Sequence, residues 1–140
     1  MISAAADFKV VAAINADYKQ TATKQQVVVV TSSGLIKRIE LSELITKRTG
    51  SSNYAKLDAG DKVVSVFMID NEQQKIVICS KRGYINSYTL DQVPLVSKTA
   101  KGVKAMGLKP QDSISSAFLL TNEINQIAII TNTTLILNSY

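Results

Sequence analysis

Two patterns recur along this chain of 140 residues with a period of about 50 residues. The first pattern is an apolar run, a short polar loop and a second run, and it occupies residues 27–41 (VVVVTSSGLIKRIEL), 76–90 (IVICSKRGYINSYTL) and 127–140 (IAIITNTTLILNSY). The second occupies residues 57–72 (LDAGDKVVSVFMIDNE) and 108–123 (LKPQDSISSAFLLTNE). Such long periods are typical of arrays in which each repeat is one structural unit packed on its neighbours.

Each repeat has the pattern of β-strands. The run from Val27 to Val30 is apolar and β-branched throughout, which predicts a strand covered on both faces. Residues 31–34 and 80–83 each end in glycine, and we expect tight hairpins with the glycine at positive φ. No long segment has the 3.6-residue period of an amphipathic helix.

The second strand of each repeat alternates at period 2. Leu35, Ile39 and Leu41 share one face, and Arg38 and Glu40 are expected to point away from it. Position 37 is polar within the apolar face, as is position 86 in the next copy, and we expect Lys37 to reach water at a sheet margin. Two tyrosines of the next copy, Tyr84 and Tyr88, are predicted to be core residues.

About four strands per repeat is the composition of a propeller blade, so we predict an all-β, propeller-like array. Residues 63–69 are apolar on both faces and are predicted to form an inner strand, followed by polar hairpin links at 71–75 and 122–126. A closed ring of four or more blades would need about 200 residues. We therefore expect about two to three blades, which form either a fragment of a larger array, the alternative we favour, or an open, incomplete array. The predicted segments are the end of a preceding blade (1–24), two blades (25–74 and 75–125) and the start of another (126–140).

Catalytic and cofactor chemistry has little support in the sequence. The chain has no histidine and a single cysteine, Cys79, so histidine-dependent triads and a zinc site are excluded, and the cysteine is expected to pack as a small hydrophobe. The pairs Asp58/Asp61 and Glu40/Glu43 are better explained as turn residues, because Asp61 recurs in the next repeat as Asp112. No phosphate-binding glycine loop occurs. We expect no catalytic residue, metal, cofactor or small-molecule substrate.

The charge balance is mildly basic, with 16 lysines and arginines against 11 acids and a net charge of +5. This favours a polyanionic partner, although it would also suit an ordinary solvated surface. The candidate contacts for such a partner are basic residues that recur in step with the repeat, on its loops and where the strand leaves the hairpin: Lys37, Arg38, Lys47, Arg48, Lys56, Lys81, Arg82, Lys98, Lys101, Lys104 and Lys109. Stacked blades would align them as a row of phosphate contacts. Aromatic residues are few and tryptophan is absent, which favours duplex DNA over stacked single strands.

Residues 27–38 (VVVVTSSGLIKR) and 97–112 (SKTAKGVKAMGLKPQD) resemble the C-terminal β-pinwheel domain found in the A subunits of bacterial DNA gyrase and topoisomerase IV. The resemblance covers residues 25–140 and, more weakly, the first 24. It implies a non-catalytic module that binds and bends double-stranded DNA for the strand-passing core of an ATP-dependent type IIA topoisomerase. The implied partners are DNA, the rest of the A subunit and, through it, the B subunit.

This sequence departs from the gyrase version of the family at one motif. The glycine- and arginine-rich box of gyrase is missing, and the nearest segment is residues 97–106, which favours topoisomerase IV. The family's catalytic tyrosine directly follows an arginine, and none of the five tyrosines here does. DNA cleavage is therefore expected elsewhere in the parent protein.

The N-terminus lacks a signal-peptide pattern and no run reaches the ~20 apolar residues of a membrane helix, so we expect a cytoplasmic protein with no membrane partner. The family resemblance implies that it is associated with the nucleoid. The alternative function is a propeller-like scaffold for protein–protein interaction. Such a scaffold would need an exposed apolar or aromatic patch instead of a basic rim.

Overall fold

A computed structural model describes residues 9–14, 24–45, 53–120, 126–131 and 133–139. Its strands, in chain order, are β1 (Gln26–Thr31), β2 (Leu35–Glu40), β3 (Val63–Ile69), β4 (Lys75–Ser80), β5 (Ile85–Thr89), β6 (Val103–Lys104), β7 (Ile114–Leu120), β8 (Gln126–Ile130) and β9 (Leu135–Ser139). One turn of helix, α1 (Leu41–Leu44), follows β2, and a 3-10 turn (Leu90–Gln92) follows β5. Within these ranges no helix is long and apolar enough to cross a membrane.

The first sheet has the strand order β3-β1-β2-β6, with every neighbouring pair antiparallel. The valines of β1 are buried on both sides of the sheet because this strand is central. The fourth strand, β6, comes from the following repeat and pairs Val103 with Ile36 and Lys104 with Leu35. A blade is therefore completed by the next repeat along the chain, and the two repeats are tied together by backbone hydrogen bonds.

The second sheet repeats this arrangement with the order β5-β4-β7, and β8 and β9 form a third, two-stranded sheet. Residues 76 and 88 pair across β4 and β5 as residues 27 and 39 do across β1 and β2. The prediction of an all-β, propeller-like, incomplete array of about two to three blades is confirmed, since the regular secondary structure of the described residues is strand apart from two short helical turns.

The sheets stack so that one face of a sheet packs against the opposite, non-equivalent face of the next sheet. Val28 and Val30 on one face of the first sheet pack in a single buried cluster with Ile76 and Ile78 of the second. The opposite face of the second sheet, around Val77, packs against the third sheet. Both of these interfaces are mainly apolar, and the burial of their side chains from water is the main stabilising contribution to this fold.

The two glycine hairpins are confirmed. Gly34 and Gly83 have φ values of 93° and 88°, and each donates its N–H to the carbonyl three residues earlier at 3.1 Å. The third hairpin has Thr134 where the others have glycine, and its register differs. Ile130 pairs with Leu135, whereas Val30 pairs with Ile36, so this hairpin is one residue shorter. A β-branched residue avoids positive φ, which explains the different turn.

Three sequence-based expectations about the strands are wrong. β3 is an edge strand of its sheet and not an inner one, and it is half-buried because side chains on both of its faces pack in apolar clusters, with β7 of the second sheet nearby. The link at residues 71–75 joins strands of different sheets and is not a hairpin. Tyr84 is 47% exposed, whereas Tyr88 packs against the core and donates its hydroxyl to the carbonyl oxygen of Ala105 at 2.8 Å.

Asp61 ties the start of β3 to the hairpin between β1 and β2. Its Oδ1 accepts hydrogen bonds from the N–H of Ser33 and of Lys62 at 2.9 and 2.8 Å, and its Oδ2 accepts from the Ser33 hydroxyl at 2.6 Å. Burial by itself would raise the pKa of Asp61, but hydrogen bonds from Ser33, Ser32 and Thr31 outweigh it and lower the pKa to about 2. Asp112 accepts the N–H of Ser113 in the same way, so the predicted turn-capping role of both aspartates is confirmed.

This depressed pKa predicts an acid-sensitive contribution to stability. Because the folded state holds Asp61 ionised, the contribution is complete above the ordinary pKa of 3.8 and is lost as pH falls towards 2. We expect Asp61→Asn to lower the free energy of unfolding by about 1–2 kcal/mol at pH 7, and by less at pH 3. Urea unfolding at both pH values measures this. The control is Asp70→Asn, at an exposed aspartate, and equal effects of the two variants would contradict the assignment.

Candidate nucleic-acid interface

The basic loop at residues 97–104, here called the lysine loop, lies along the outer edge of the first sheet. The segment before it runs beside β2, where the N–H of Arg38 donates to the carbonyl oxygen of Pro94 at 3.0 Å and the N–H of Val96 donates to that of Arg38 at 2.9 Å. The segment at its end is β6, which pairs with β2 in the opposite direction. The chain therefore follows β2, turns, and returns to it as β6, so that the lysine loop lies against β2 at this edge.

The lysine loop carries three of the predicted contacts. Lys101 and Lys104 are exposed, and Lys98 is half-buried. Lys98 and Thr99 line a cleft of about 200 Å³ together with Lys56 and Asn53 of the preceding repeat. Two lysines from different repeats that line one cleft together with polar side chains form a site suited to a phosphate oxygen.

Acidic residues are closer to this loop than its sequence predicts. Residues 97–111 contain no acid, but the fold brings Asp58 to Lys101, with 2.5 Å between Oδ1 and Nζ, and the Oε2 of Glu43 accepts the N–H of Lys98 at 2.9 Å. Lys101 and Asp58 are 45% and 65% exposed. Exposed pairs of this kind contribute about 0–1 kcal/mol, so a stronger anion can replace the aspartate.

Two predicted contacts are inside the protein. Lys37, expected to reach water, is only 2% exposed, and its Nζ donates to the carbonyl oxygens of Lys98 and Ala100 at 2.7 and 2.6 Å. Burial lowers the pKa of Lys37, while the nearby charge of Glu43 raises it. The expectation of a solvated side chain fails because the lysine loop of the next repeat covers this strand, which the local pattern of β2 does not reveal.

Arg38 was also expected to point to solvent and is 6% exposed. Its Nε donates to the carbonyl oxygen of Val93 at 2.6 Å, and its Nη1 donates to Gln26 Oε1 at 2.9 Å and to Glu72 Oε2 at 2.8 Å. The guanidinium thus holds together β1, the turn after β3 and the segment before the lysine loop. Because the side chains of Lys37 and Arg38 are buried and engaged in these contacts, we leave both out of the proposed DNA surface.

A second basic group lies at the tip of the hairpin between β4 and β5. Lys81 and Arg82 are exposed there, and Arg82 contacts the carbonyl oxygen of Pro110 through its Nη1 at 3.4 Å. Lys109, also exposed, precedes this proline. The hairpin tip and the loop before β7 therefore present three cations together, connected to the lysine loop by residues 104–109.

Lys47 and Arg48 lie outside the described residues. Among the residues that sequence reasoning missed, Asn53 and Thr99 line the cleft with Lys56. Gly102 was missed as well, and its position between Lys101 and Lys104 is the one signal that could have drawn attention to it. Nothing in the local sequence indicates the contacts of Glu43 and Asp58, because both are made across repeats.

The two repeats match a known family sequence pattern. The family described as DNA gyrase C-terminal domain, beta-propeller, matches residues 25–70 and 74–121. The chain belongs to this family. The first matched segment of this gyrase-type C-terminal domain contains β1 to β3, and the second contains β4 to β7, so each match covers one structural repeat.

The relatives of this gyrase-type domain include A subunits of both DNA gyrase and DNA topoisomerase 4. It is 30% identical over 73% of its length to the A subunit of DNA gyrase from Kosmotoga olearia and 40% identical over 64% of its length to the A subunit of DNA topoisomerase 4 from Streptococcus pneumoniae. It is 27% identical over 91% of its length to the A subunit of DNA gyrase from Helicobacter pylori. The chain spans only 13%, 11% and 15% of the length of these three proteins.

Solved structures agree with the fold. The C-terminal domain of DNA topoisomerase IV superposes with a TM-score of 0.70 at 28% identity, over 75% of this chain and 32% of that one. The E. coli ParC C-terminal domain superposes with a TM-score of 0.72 at 14% identity, over 84% of this chain and 49% of that one, and this likeness concerns the fold alone. The β-pinwheel fold expected from the sequence is confirmed.

Proposed function

We propose that this domain binds and bends double-stranded DNA for a type IIA topoisomerase, and that it has no catalytic centre of its own. The lysine loop, with Lys56 beside it, is the main contact surface, and the hairpin group of Lys81, Arg82 and Lys109 is the second. DNA cleavage and ATP-dependent strand passage belong to other domains of the parent protein.

The observation that carries the proposal is the shared cleft of Lys56 and Lys98. These lysines belong to different repeats, yet the fold places them on one cleft, with the exposed Lys101 and Lys104 on the same loop as Lys98. Contacts of this kind read the phosphate backbone and not the base sequence, because an ammonium group recognises charge without a directional pattern. A surface built this way suits duplex DNA that is selected by its bendability.

A titration of the 140-residue chain with duplex DNA tests the proposal. We expect retention of duplexes of unrelated sequence with similar affinity at low salt. If about six phosphates are contacted, the logarithm of the binding constant should fall against the logarithm of salt concentration with a slope of about −5. A gel-shift or fluorescence-anisotropy series at several salt concentrations measures both. Failure to bind any duplex at low salt would remove the proposed function.

Within the family, we propose the A subunit of topoisomerase IV as the parent, because the glycine- and arginine-rich box of gyrase has no counterpart between residues 97 and 106. The other partners would be the remainder of that subunit and, through it, the B subunit. The working location would be the cytoplasm, at the nucleoid. Supercoiling assays support this choice if the parent relaxes and decatenates DNA without introducing negative supercoils.

A protein-interaction scaffold is the second candidate, because the third sheet has an exposed apolar face. Ala128, Ile130, Leu135 and Leu137 lie on this face and are exposed. The corresponding face of the first sheet is covered by the second sheet, so an apolar partner, including a further repeat, would suit it. Loss of duplex binding together with a specific protein complex through this face would favour the scaffold.

A further inference from the structure

Lys37 holds the lysine loop from the inside. Its Nζ donates to two carbonyl oxygens of the loop, those of Lys98 and Ala100, and its side chain is almost completely buried. A buried ammonium group is stable only where polar partners compensate for its lost hydration. The loop carbonyls provide this compensation, so they must face inwards.

The consequence for the loop is a fixed orientation. With the carbonyls of Lys98 and Ala100 turned towards Lys37, the loop is closed by the N–H of Ala100 donating to the carbonyl oxygen of Ser97 at 3.1 Å. Glu43 fixes the N–H of Lys98. The Lys98 side chain lines the outer cleft and that of Lys101 is exposed.

Gly102 allows the loop to lie this close to β2. Its φ is 98°, and a Cβ atom there would overlap the carbonyl oxygen of Ile36 and lie 3.1 Å from the Cβ of Lys37. A larger residue would push the loop away from the Lys37 ammonium. The close approach at Gly102 and the buried Lys37 are therefore two parts of one anchor.

We propose that Lys37 is a positioning residue for DNA binding, acting through the lysine loop without touching DNA. The inference rests on the proposed function, since it assigns Lys37 a role in that same surface. Two simpler explanations predict different results. Lys37 could raise DNA affinity only through its own charge, or it could support the core without affecting the loop.

The test combines Lys37→Met with the loop variant Lys98→Gln/Lys101→Gln. If Lys37 acts through the loop, Lys37→Met should weaken duplex binding by about 10-fold, and the triple variant should bind within about twofold of the loop variant. Additive losses would overturn the inference in favour of direct charge. Lys75→Met, which removes one exposed charge from β4, is the matched control and should bind within about twofold of the unmodified chain.

Hydrogen exchange provides a readout that does not depend on DNA. In Lys37→Met, the amides of Lys98 and Ala100 should exchange at least about 10-fold faster, while amides at the centre of β4 change much less. Unchanged loop amides would overturn the inference. If the unmodified chain failed to bind duplex DNA while the loop amides responded as expected, the proposed function would fail and the anchoring of the loop by Lys37 would stand.

A second variant tests the anchor if Lys37→Met does not fold. Gly102→Ala should reproduce the faster exchange of the loop amides and the weaker DNA binding with Lys37 intact. Gly60→Ala is its control, because Gly60 also has positive φ, at 82°, but a Cβ there would meet no atom within 4 Å. Equal behaviour of the two glycine variants would contradict the close approach at Gly102.

Discussion

Reversal of the three lysine-loop charges, by Lys98→Glu, Lys101→Glu and Lys104→Glu together, should weaken duplex DNA binding by at least about 100-fold at low salt and reduce the salt slope by about 3. The cause is the loss of about three phosphate contacts and the repulsion that the new carboxylates add. The loss should be equal for duplexes of unrelated sequence, because phosphate contacts carry no base information. Fluorescence anisotropy against salt concentration measures both quantities.

The control for this variant has the same net charge. Each lysine-to-glutamate change subtracts two charges, so three changes take the chain from +5 to −1. Lys9→Glu, Lys24→Glu and Lys75→Glu together make the same change at exposed residues outside the proposed surface. This control should retain most of the affinity. If the two triple variants bind equally poorly, total charge governs binding and the lysine loop is not a site.

The largest effect on stability is expected at the interface between the first two sheets. Ile78→Ala should lower the free energy of unfolding by about 3–4 kcal/mol, because Ile78 is 0% exposed and its removal leaves a cavity between two packed sheets. Ile130→Ala, at a residue 78% exposed, is the matched control and should change stability by less than about 0.5 kcal/mol. Urea denaturation followed by circular dichroism measures both.

This comparison also tests the stacking of the sheets. If the first and second sheets were independent units, Ile78 would lie on an open face and its truncation would cost no more than that of Ile130. Independent sheets would also give two separate unfolding transitions in the urea curve of the unmodified chain, whereas packed sheets should unfold together. Equal, small effects for both variants would contradict the buried cluster that joins the sheets.

Much of the fold follows from the sequence, because the repeat places the same strand pattern at intervals of about 50 residues and each hairpin glycine marks a turn. The hairpins at Gly34 and Gly83 and the buried run of β1 are local features. The capping role of Asp61 was predictable for a different reason, because the residue recurs in the next repeat as Asp112. What escaped prediction is non-local. β3 is apolar on both faces although it is an edge strand, because one face packs in the cluster shared with the second sheet and the other packs in the separate cluster on the opposite side of the first sheet.

The same reason explains the mixed outcome for the candidate site. Lys101 and Lys104 are exposed, as expected for loop residues. Lys37 and Arg38 are buried, because residues from the next repeat cover β2 and the sequence of β2 contains no sign of that cover. Their charges satisfy backbone carbonyls across the repeat boundary. A basic residue in a repeat protein can therefore connect neighbouring repeats instead of binding an external anion. Its charge alone does not distinguish these two roles.

The meeting of unlike faces described for the stacked sheets gives the molecule a direction. One face of each sheet packs against the non-equivalent face of the next sheet. A chain of such units can therefore be lengthened or shortened by whole repeats without a new kind of contact. Gene duplication or deletion in steps of one repeat would leave the remaining interfaces between sheets unchanged. Under the proposed function, the length of DNA bound would then evolve separately from the contacts between neighbouring repeats.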